Sequence, residues 1–134
     1  MQRFEIAVVG AHMSNMPLNP ELVRLGAIFN RRVATSADYR LFALAGGPPK
    51  RPGLLRVAEP NGRPIETEVW DLPAEGLGRF IATVPPPLCI GTVRLSDGTS
   101  PKGFLVEPEG LHGALDITSH GGWRAYLALE TTPA

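Results

Sequence analysis

The alternation of apolar and polar residues predicts a chain built mainly of short strands. An apolar run at 4–9 stops at Gly10 and predicts a strand inside a sheet. Apolar and polar residues interleave over 65–72, as expected for a half-buried strand. The sequence Ser-Asp-Gly-Thr at 96–99 predicts the turn of a hairpin. The other predicted strands are 32–37, 39–45, 54–57, 88–95 and 102–106.

Three helices are predicted, at about 20–26, 74–84 and 122–129. Asn19 is a typical helix cap, Pro20 suits the first helical position, and Glu21 places a carboxylate at the positive end of the helix dipole. The segment 48–53 is predicted to be a loop. Three prolines within five residues exclude a helix or a central strand there.

These elements predict a single α+β domain over residues 1–134, with a mixed, curved or barrel-like sheet of about six or seven strands and two or three short helices. The 13 basic and 13 acidic side chains cancel, so no broad positive field favours nucleic acid. No apolar run approaches the ~20 residues of a membrane span. The single cysteine, Cys89, cannot form an internal disulfide, which suits a reducing cytoplasm.

His12 is the strongest candidate for chemistry, because it closely follows the predicted strand end at Gly10. Such loops hold binding groups on a rigid scaffold, and imidazole exchanges a proton near neutral pH. A loop histidine bonded to backbone groups is the alternative. His120 precedes two glycines and the last predicted helix, where backbone N–H donors are available. The histidines are too isolated for a metal site, so neither metal nor cofactor is expected.

We expect His12 to line a cavity, because four distant stretches break regular structure with glycine or proline beside a polar or aromatic side chain. The predicted ligand-binding residues are Gly10, Ser14, Asn15, Tyr39, Gly46, Ile90, Gly91, His120 and Gly121. Glu66 and Glu68 share one face of a strand, and a solvated face is favoured over a cavity. Trp70 and Trp123 are predicted to lie in the core.

Four stretches, in order along the chain, resemble one family. They are VVGAHMSNMPLN (8–19), YRLFALAG (39–46), PPPLCIGTVRLSDG (85–98) and DITSHGGWRAYL (116–127). Together they resemble the C-terminal domain of allophanate hydrolase, over residues 5–128. The resemblance implies a fold like that of γ-glutamyl cyclotransferase, a small mixed barrel with a cavity at one end.

The same resemblance argues against cyclotransferase activity. The glutamate that serves cyclotransferases as acid and base is expected after the second helix, where residues 82–87 read Ala-Thr-Val-Pro-Pro-Pro. In the allophanate hydrolase family the domain follows an amidase-signature domain, which hydrolyses allophanate during breakdown of urea and cyanuric acid. Because no amidase domain is present, the chain is expected to be a stand-alone relative or an excised domain.

The family resemblance leaves three functions open. The first is decarboxylation of N-carboxycarbamate, the amidase product, with His12 as proton donor and backbone N–H groups near Gly10, Gly46, Gly91 and Gly121 holding the carboxylates. The second is a non-catalytic accessory that dimerises or partners an amidase-signature protein. The third is a pocket protein that binds a small carboxylated, amide-like molecule without turning it over.

Overall fold

The computed structural model describes residues 2–131, which contain eight strands, three α-helices and two 3₁₀ turns. The strands are β1 (Arg3–Val8), β2 (Ile28–Ala34), β3 (Tyr39–Ala43), β4 (Pro52–Arg56), β5 (Glu66–Pro73), β6 (Leu88–Thr92), β7 (Lys102–Val106) and β8 (Leu115–Asp116). The helices are α1 (Asn19–Arg24), α2 (Ala74–Ala82) and α3 (Trp123–Thr131), and the 3₁₀ turns are Pro108–Leu111 and Thr118–His120. The α+β class and the three helices are therefore confirmed.

The strands form two sheets rather than one. The larger sheet has the order β2-β5-β1-β7-β6, and the smaller has the order β4-β3-β8. β1 lies at the centre of the larger sheet, antiparallel to β5 and parallel to β7, which confirms the strand predicted at 4–9. The hairpin prediction is also confirmed, since β6 and β7 pair antiparallel on either side of the turn at 96–99.

The prediction of a loop over 48–53 is wrong at its end, because β4 begins at Pro52. β4 is an edge strand, a position where a proline is tolerated, and its Pro52 lies opposite Ala43 of β3. Two further boundaries shift. β2 starts at Ile28, ahead of the predicted 32–37, and β6 ends at Thr92.

A continuous core joins side chains from both sheets and all three helices. It includes Leu22 of α1, Phe80 of α2 and Trp123 of α3, each almost fully buried. Trp70 also belongs to it, so both tryptophans lie where they were predicted. Within residues 2–131, no helix is both long enough and apolar enough to cross a membrane.

The start of β4 passes directly over the end of β1. A methyl group added at Gly10 would lie 2.3 Å from Cδ and 2.5 Å from Cγ of Pro52. Both distances are well below van der Waals contact, so this close approach requires glycine. The contact brings Arg51, the residue before β4, to the strand end that carries His12.

Replacing Gly10→Ala tests this contact. We expect the free energy of unfolding to fall by about 1–3 kcal/mol, because a proline ring cannot swing away as a flexible side chain would. Gly78→Ala is the matched control, since an added methyl on α2 meets no atom within 4 Å and should stabilise the helix by up to about 1 kcal/mol. Urea unfolding of both variants measures the difference. Equal stability of Gly10→Ala and the wild type would contradict the proposed crowding.

Candidate functional site

His12 lies in the loop that joins β1 to α1. The loop turns at once, since the N–H of Met13 donates to the carbonyl of Gly10 at 3.0 Å. The side-chain amide of Asn19 donates to the carbonyl of His12 at 2.9 Å. The prediction that Asn19 caps α1 is wrong: the helix begins at Asn19, and Leu18 occupies the cap position without a side-chain bond. Asn19 instead joins the helix start to the backbone of His12.

The imidazole of His12 packs against two phenylalanine rings that also contact each other, with their centres 5.4 Å apart. It stacks parallel to Phe104 of β7, with ring centres 5.4 Å apart, and lies nearly perpendicular to the ring of Phe80 of α2, with ring centres 4.9 Å apart. Nε2 lies 3.6 Å from Oε1 of Glu21, and the His12 side chain is 16% exposed. The ring therefore contacts hydrocarbon at Phe80 and Phe104, whereas Nε2 lies near the carboxylate of Glu21.

This environment disfavours the imidazolium. Burial lowers the pKa of His12 below its usual value near 6.5, Glu21 offsets part of this effect, and the positive charge of Arg51 adds to it. Glu21 and Arg51 are the charged groups that act on the ring. The other elements packed against it, α2 and β7, contribute the uncharged side chains of Phe80 and Phe104. The free protein consequently holds His12 mainly neutral at neutral pH.

A small pocket of about 40 Å³ opens beside the ring. Its walls come from the end of β1, the first residue of β4, the 83–85 segment after α2, and Phe104. Its charged groups are Glu21 and Arg51. The volume is far below the ~300 Å³ at which drug-sized sites begin, so the pocket suits a ligand of few atoms.

A second polar cluster anchors the same loop from behind. The carboxylate of Glu68, on β5, is 0% exposed. It accepts hydrogen bonds from the N–H and hydroxyl of Ser14, both at 2.7 Å, and from the indole of Trp70 at 3.1 Å. The guanidinium groups of Arg124 and Arg32 lie 3.0 and 3.3 Å from it. Arg124 also donates to the carbonyl of Ser14.

The expectation that Glu66 and Glu68 face solvent is wrong for Glu68. Burial alone would raise its pKa, but the hydrogen bonds from Ser14, Trp70 and Arg124 outweigh burial and lower the pKa to about 2. Glu66 lies at the edge of the same cluster, with Oε1 3.6 Å from Nη1 of Arg124. Both of these atoms are buried and have no hydrogen-bond partner.

The structure distributes the predicted ligand-binding residues over several places. Gly10 and His12 share the pocket. Ser14 is bound to Glu68, and the carbonyl of Gly121 accepts the N–H of Glu66, so both belong to the buried cluster.

The remaining predicted residues lie outside the His12 pocket. Tyr39 is fully buried, and its hydroxyl accepts the N–H of Arg94. Gly46 lines an adjoining groove, and the ring of His120 packs at 5.5 Å from that of Tyr126. Asn15 is exposed with φ +65°, and Ile90 and Gly91 pair with β7 as part of β6.

Sequence reasoning missed Arg51 and Glu68. Arg51 lies within the predicted loop 48–53 and carried no signal of its own, yet its place directly before Pro52 fixes it at the strand end. Glu68 lacked any local signal, since its partners come from distant segments. Among residues 2–131, no three His, Cys, Asp or Glu side chains lie close enough together to hold a metal ion.

Comparison with known proteins gives consistent matches. A family model described as the allophanate hydrolase C-terminal domain matches residues 4–128. The urea amidolyase of Saccharomyces cerevisiae is 44% identical over 128 residues, a stretch that takes in 93% of this chain and 7% of the yeast protein. The chain thus spans a small part of the length of this curated relative.

Solved structures extend the similarity. Allophanate hydrolase of Kluyveromyces lactis superposes with a TM-score of 0.94 at 38% identity, over 98% of this chain and 22% of that one. The E. coli protein c4763, described as specific to uropathogenic strains, superposes with a TM-score of 0.88 at 34% identity, over 96% of this chain and 98% of that one.

The expected fold relationship is confirmed as well. A structure of γ-glutamyl cyclotransferase superposes with a TM-score of 0.56 at 13% identity, over 79% of this chain and 68% of that one. At that identity the similarity concerns the fold alone.

Replacing Glu68→Gln tests the buried cluster. We expect a loss of about 3 kcal/mol in the free energy of unfolding at pH 7, because removing one partner leaves buried donors and charge uncompensated. The folded-state pKa of Glu68 lies below its unfolded value, so its contribution is present above about pH 4.5 and is lost as pH falls toward about 2. The difference between variant and wild type should narrow over that window.

The matched control is Glu75→Gln on α2, where the side chain is 78% exposed and pairs with Arg79 one turn away. Its effect should stay within about 0.5 kcal/mol. Urea unfolding at several pH values compares both variants with the wild type. A Glu68→Gln difference that does not change between pH 5 and pH 2 would contradict the assigned pKa.

Proposed function

Because the chain belongs to the family of allophanate hydrolase C-terminal domains, we propose that it decarboxylates N-carboxycarbamate, with His12 as the proton donor. The observation that carries this proposal is the position of the His12 ring, held against Phe80 and Phe104 in the wall of a small pocket. A purely accessory role would leave His12 facing bulk water, whereas its side chain is 16% exposed and borders a pocket.

The reaction needs one proton and no redox step. N-carboxycarbamate carries two carboxylates on one nitrogen. The bond between that nitrogen and one carboxyl carbon breaks, the electron pair stays on nitrogen, CO2 leaves, and the nitrogen takes a proton to give carbamate. His12 supplies this proton from its imidazolium, and general acid catalysis of this kind contributes about 10²–10⁴-fold. Glu21, partly exposed beside Nε2, lies where it can return a proton from water.

Ligand binding itself would generate the active protonation state. In the free protein, burial and Arg51 lower the pKa of His12. A dianionic substrate brings two negative charges next to the ring, and a nearby opposite charge favours the imidazolium. The proton is thus taken up together with the substrate, and the acid is present only when there is a nitrogen to protonate.

The neighbouring segment supports decarboxylation over cyclotransfer. Residues 83–85 line the pocket. The family resemblance implies that the cyclotransferase glutamate would lie in this stretch, after the second helix. This stretch reads Ala-Thr-Val-Pro-Pro-Pro over 82–87 and carries no carboxylate. Glu21 is the carboxylate of this pocket, and it already faces His12.

The variant His12→Phe separates acid catalysis from packing. Phenylalanine keeps the aromatic stack with Phe80 and Phe104, so the free energy of unfolding should stay within about 1 kcal/mol of wild type. The rate of CO2 release, above the protein-free rate, should fall by about 10²-fold or more. An amidase acting on allophanate supplies the substrate in the assay.

His12→Gln is the second variant, because it retains a polar group but cannot act as an acid near neutral pH. A folded His12→Phe or His12→Gln protein with wild-type CO2 release would rule out His12 as the donor. Wild-type protein that gives no release above the protein-free rate would leave binding without turnover as the function.

The pH dependence follows from the lowered pKa of His12. The general acid must be protonated, so kcat/KM should fall as pH rises through the pKa of the free protein, below 6.5. The bound dianion raises that pKa, so kcat should persist to higher pH before it falls. Initial rates at saturating and limiting substrate, from pH 5 to pH 8.5, measure both profiles. A kcat/KM that rises with pH over this range contradicts an acid role.

A further inference from the structure

We propose that Arg51 binds one carboxylate of the ligand and that the His12 pocket selects small dianions with two carboxylates on one central atom. The substrate class rests on the proposed function, whereas the binding role of Arg51 can be tested without turnover. Three features support this role: the position of Arg51, its unpaired guanidinium and its backbone contacts.

Arg51 stands at the border of two depressions. It lines the small pocket with His12 and Glu21, and it also lines the groove between the two proline-rich loops 44–49 and 85–88. The groove is larger than the pocket, with a volume of about 230 Å³. A ligand entering along the groove would meet the guanidinium before it reached the imidazole.

The guanidinium of Arg51 lacks a protein partner within residues 2–131. It makes no hydrogen bond or ion pair there, although its own residue is only partly exposed. Its neighbour Lys50, by contrast, forms an ion pair with Glu130 at 2.6 Å. No carboxylate among residues 2–131 lies within 4 Å of the Arg51 guanidinium. Arginine presents a planar fork of N–H groups that matches a carboxylate with two parallel hydrogen bonds.

The backbone of Arg51 is fixed while its side chain is left free. Its carbonyl accepts the N–H of Leu44 at 3.0 Å. The next residue, Pro52, is pressed against Gly10 at the end of β1. These two contacts hold the arginine Cα against the strand end, so only the side chain has to be ordered when a ligand binds.

Charge balance points to a ligand with two negative charges. In the free pocket Arg51 is positive, Glu21 is negative and His12 is mainly neutral. A single carboxylate bound to Arg51 would offset that positive charge and raise the pKa of His12 only in part. A second carboxylate on the same small ligand would face the imidazole and favour its protonation, which then forms a second charged contact. The pocket volume of about 40 Å³ favours a compact ligand, whose two carboxylates are joined through a single central atom.

Malonate is a suitable probe, because a methylene replaces the nitrogen of N-carboxycarbamate and the molecule is stable. Calorimetry measures its binding to the wild type, and NMR titration of the imidazole signals, assigned with His12→Phe, reports the pKa of His12. We expect malonate to bind the wild type and to raise the pKa of His12, and acetate to bind at least tenfold more weakly.

Three variants test the role of Arg51. Arg51→Gln should weaken malonate binding at least tenfold and should raise the pKa of His12 in the free protein, because a neighbouring positive charge is lost. Arg51→Lys should keep the low pKa of free His12 but restore binding only in part, since the charge remains and the fork is lost. Arg63→Gln is the control: this exposed arginine bonds to the carbonyl of Gly62 and should leave both measurements unchanged.

The outcomes separate this proposal from the proposed function. Absence of malonate binding to the wild type, equal binding by Arg51→Gln and wild type, or an equal loss in Arg63→Gln would overturn the role of Arg51. Arg51-dependent binding of malonate together with no decarboxylation would uphold Arg51 and overturn the function. Decarboxylation by the wild type, together with an unchanged KM in Arg51→Gln, would uphold the proposed function and overturn the role of Arg51.

Discussion

The carboxylate of Glu68 joins four parts of the chain around one buried negative charge. β5 supplies the carboxylate, and Ser14, Arg32 and Arg124 bring donors from the loop after β1, from β2 and from α3. A buried charge costs several kcal/mol unless its partners are in place, so these elements stabilise one another only as a set. His12 is two residues from Ser14, and its position therefore depends on a cluster that it does not touch.

The two ends of the His12 loop meet opposite electrostatic conditions. At Ser14 the backbone N–H and the hydroxyl donate hydrogen bonds to the carboxylate of Glu68, which is ionised and has several other partners. At His12 the surroundings are hydrocarbon, with one carboxylate and one guanidinium at the rim. The first arrangement gives rigidity, and the second leaves a titratable group whose charge depends on what occupies the pocket. A loop of few residues thus separates the anchoring of the imidazole from its chemistry.

Local sequence was enough to predict most elements and not enough to predict their partners. The strand at 4–9, the turn at 96–99 and the three helices follow from periodicity and turn chemistry, which are properties of neighbouring residues. The strand at 54–57 was predicted, but its start at Pro52 was not, because the tolerance for a proline there depends on the edge position of β4 beside β3. Glu68 was assigned to solvent because alternation along a strand identifies a shared face, whereas its burial depends on Arg124, 56 positions later. His12 was identified from its place after a strand, but the Arg51 that faces the same pocket is brought there by a contact across 42 positions, between Gly10 and Pro52.

The pairing of β1 bears on how the domain folds. Its two neighbours in the sheet, β5 and β7, begin at Glu66 and Lys102, so the central strand finds partners only far along the chain. Such a topology has a high contact order, because long loops must close before the pairing gains any stability. During synthesis, residues 3–8 therefore leave the ribosome well before β5, the strand with which they pair antiparallel. Arg124 of α3 comes later still, so the cluster that holds the His12 loop can be completed only once nearly the whole domain has been synthesised.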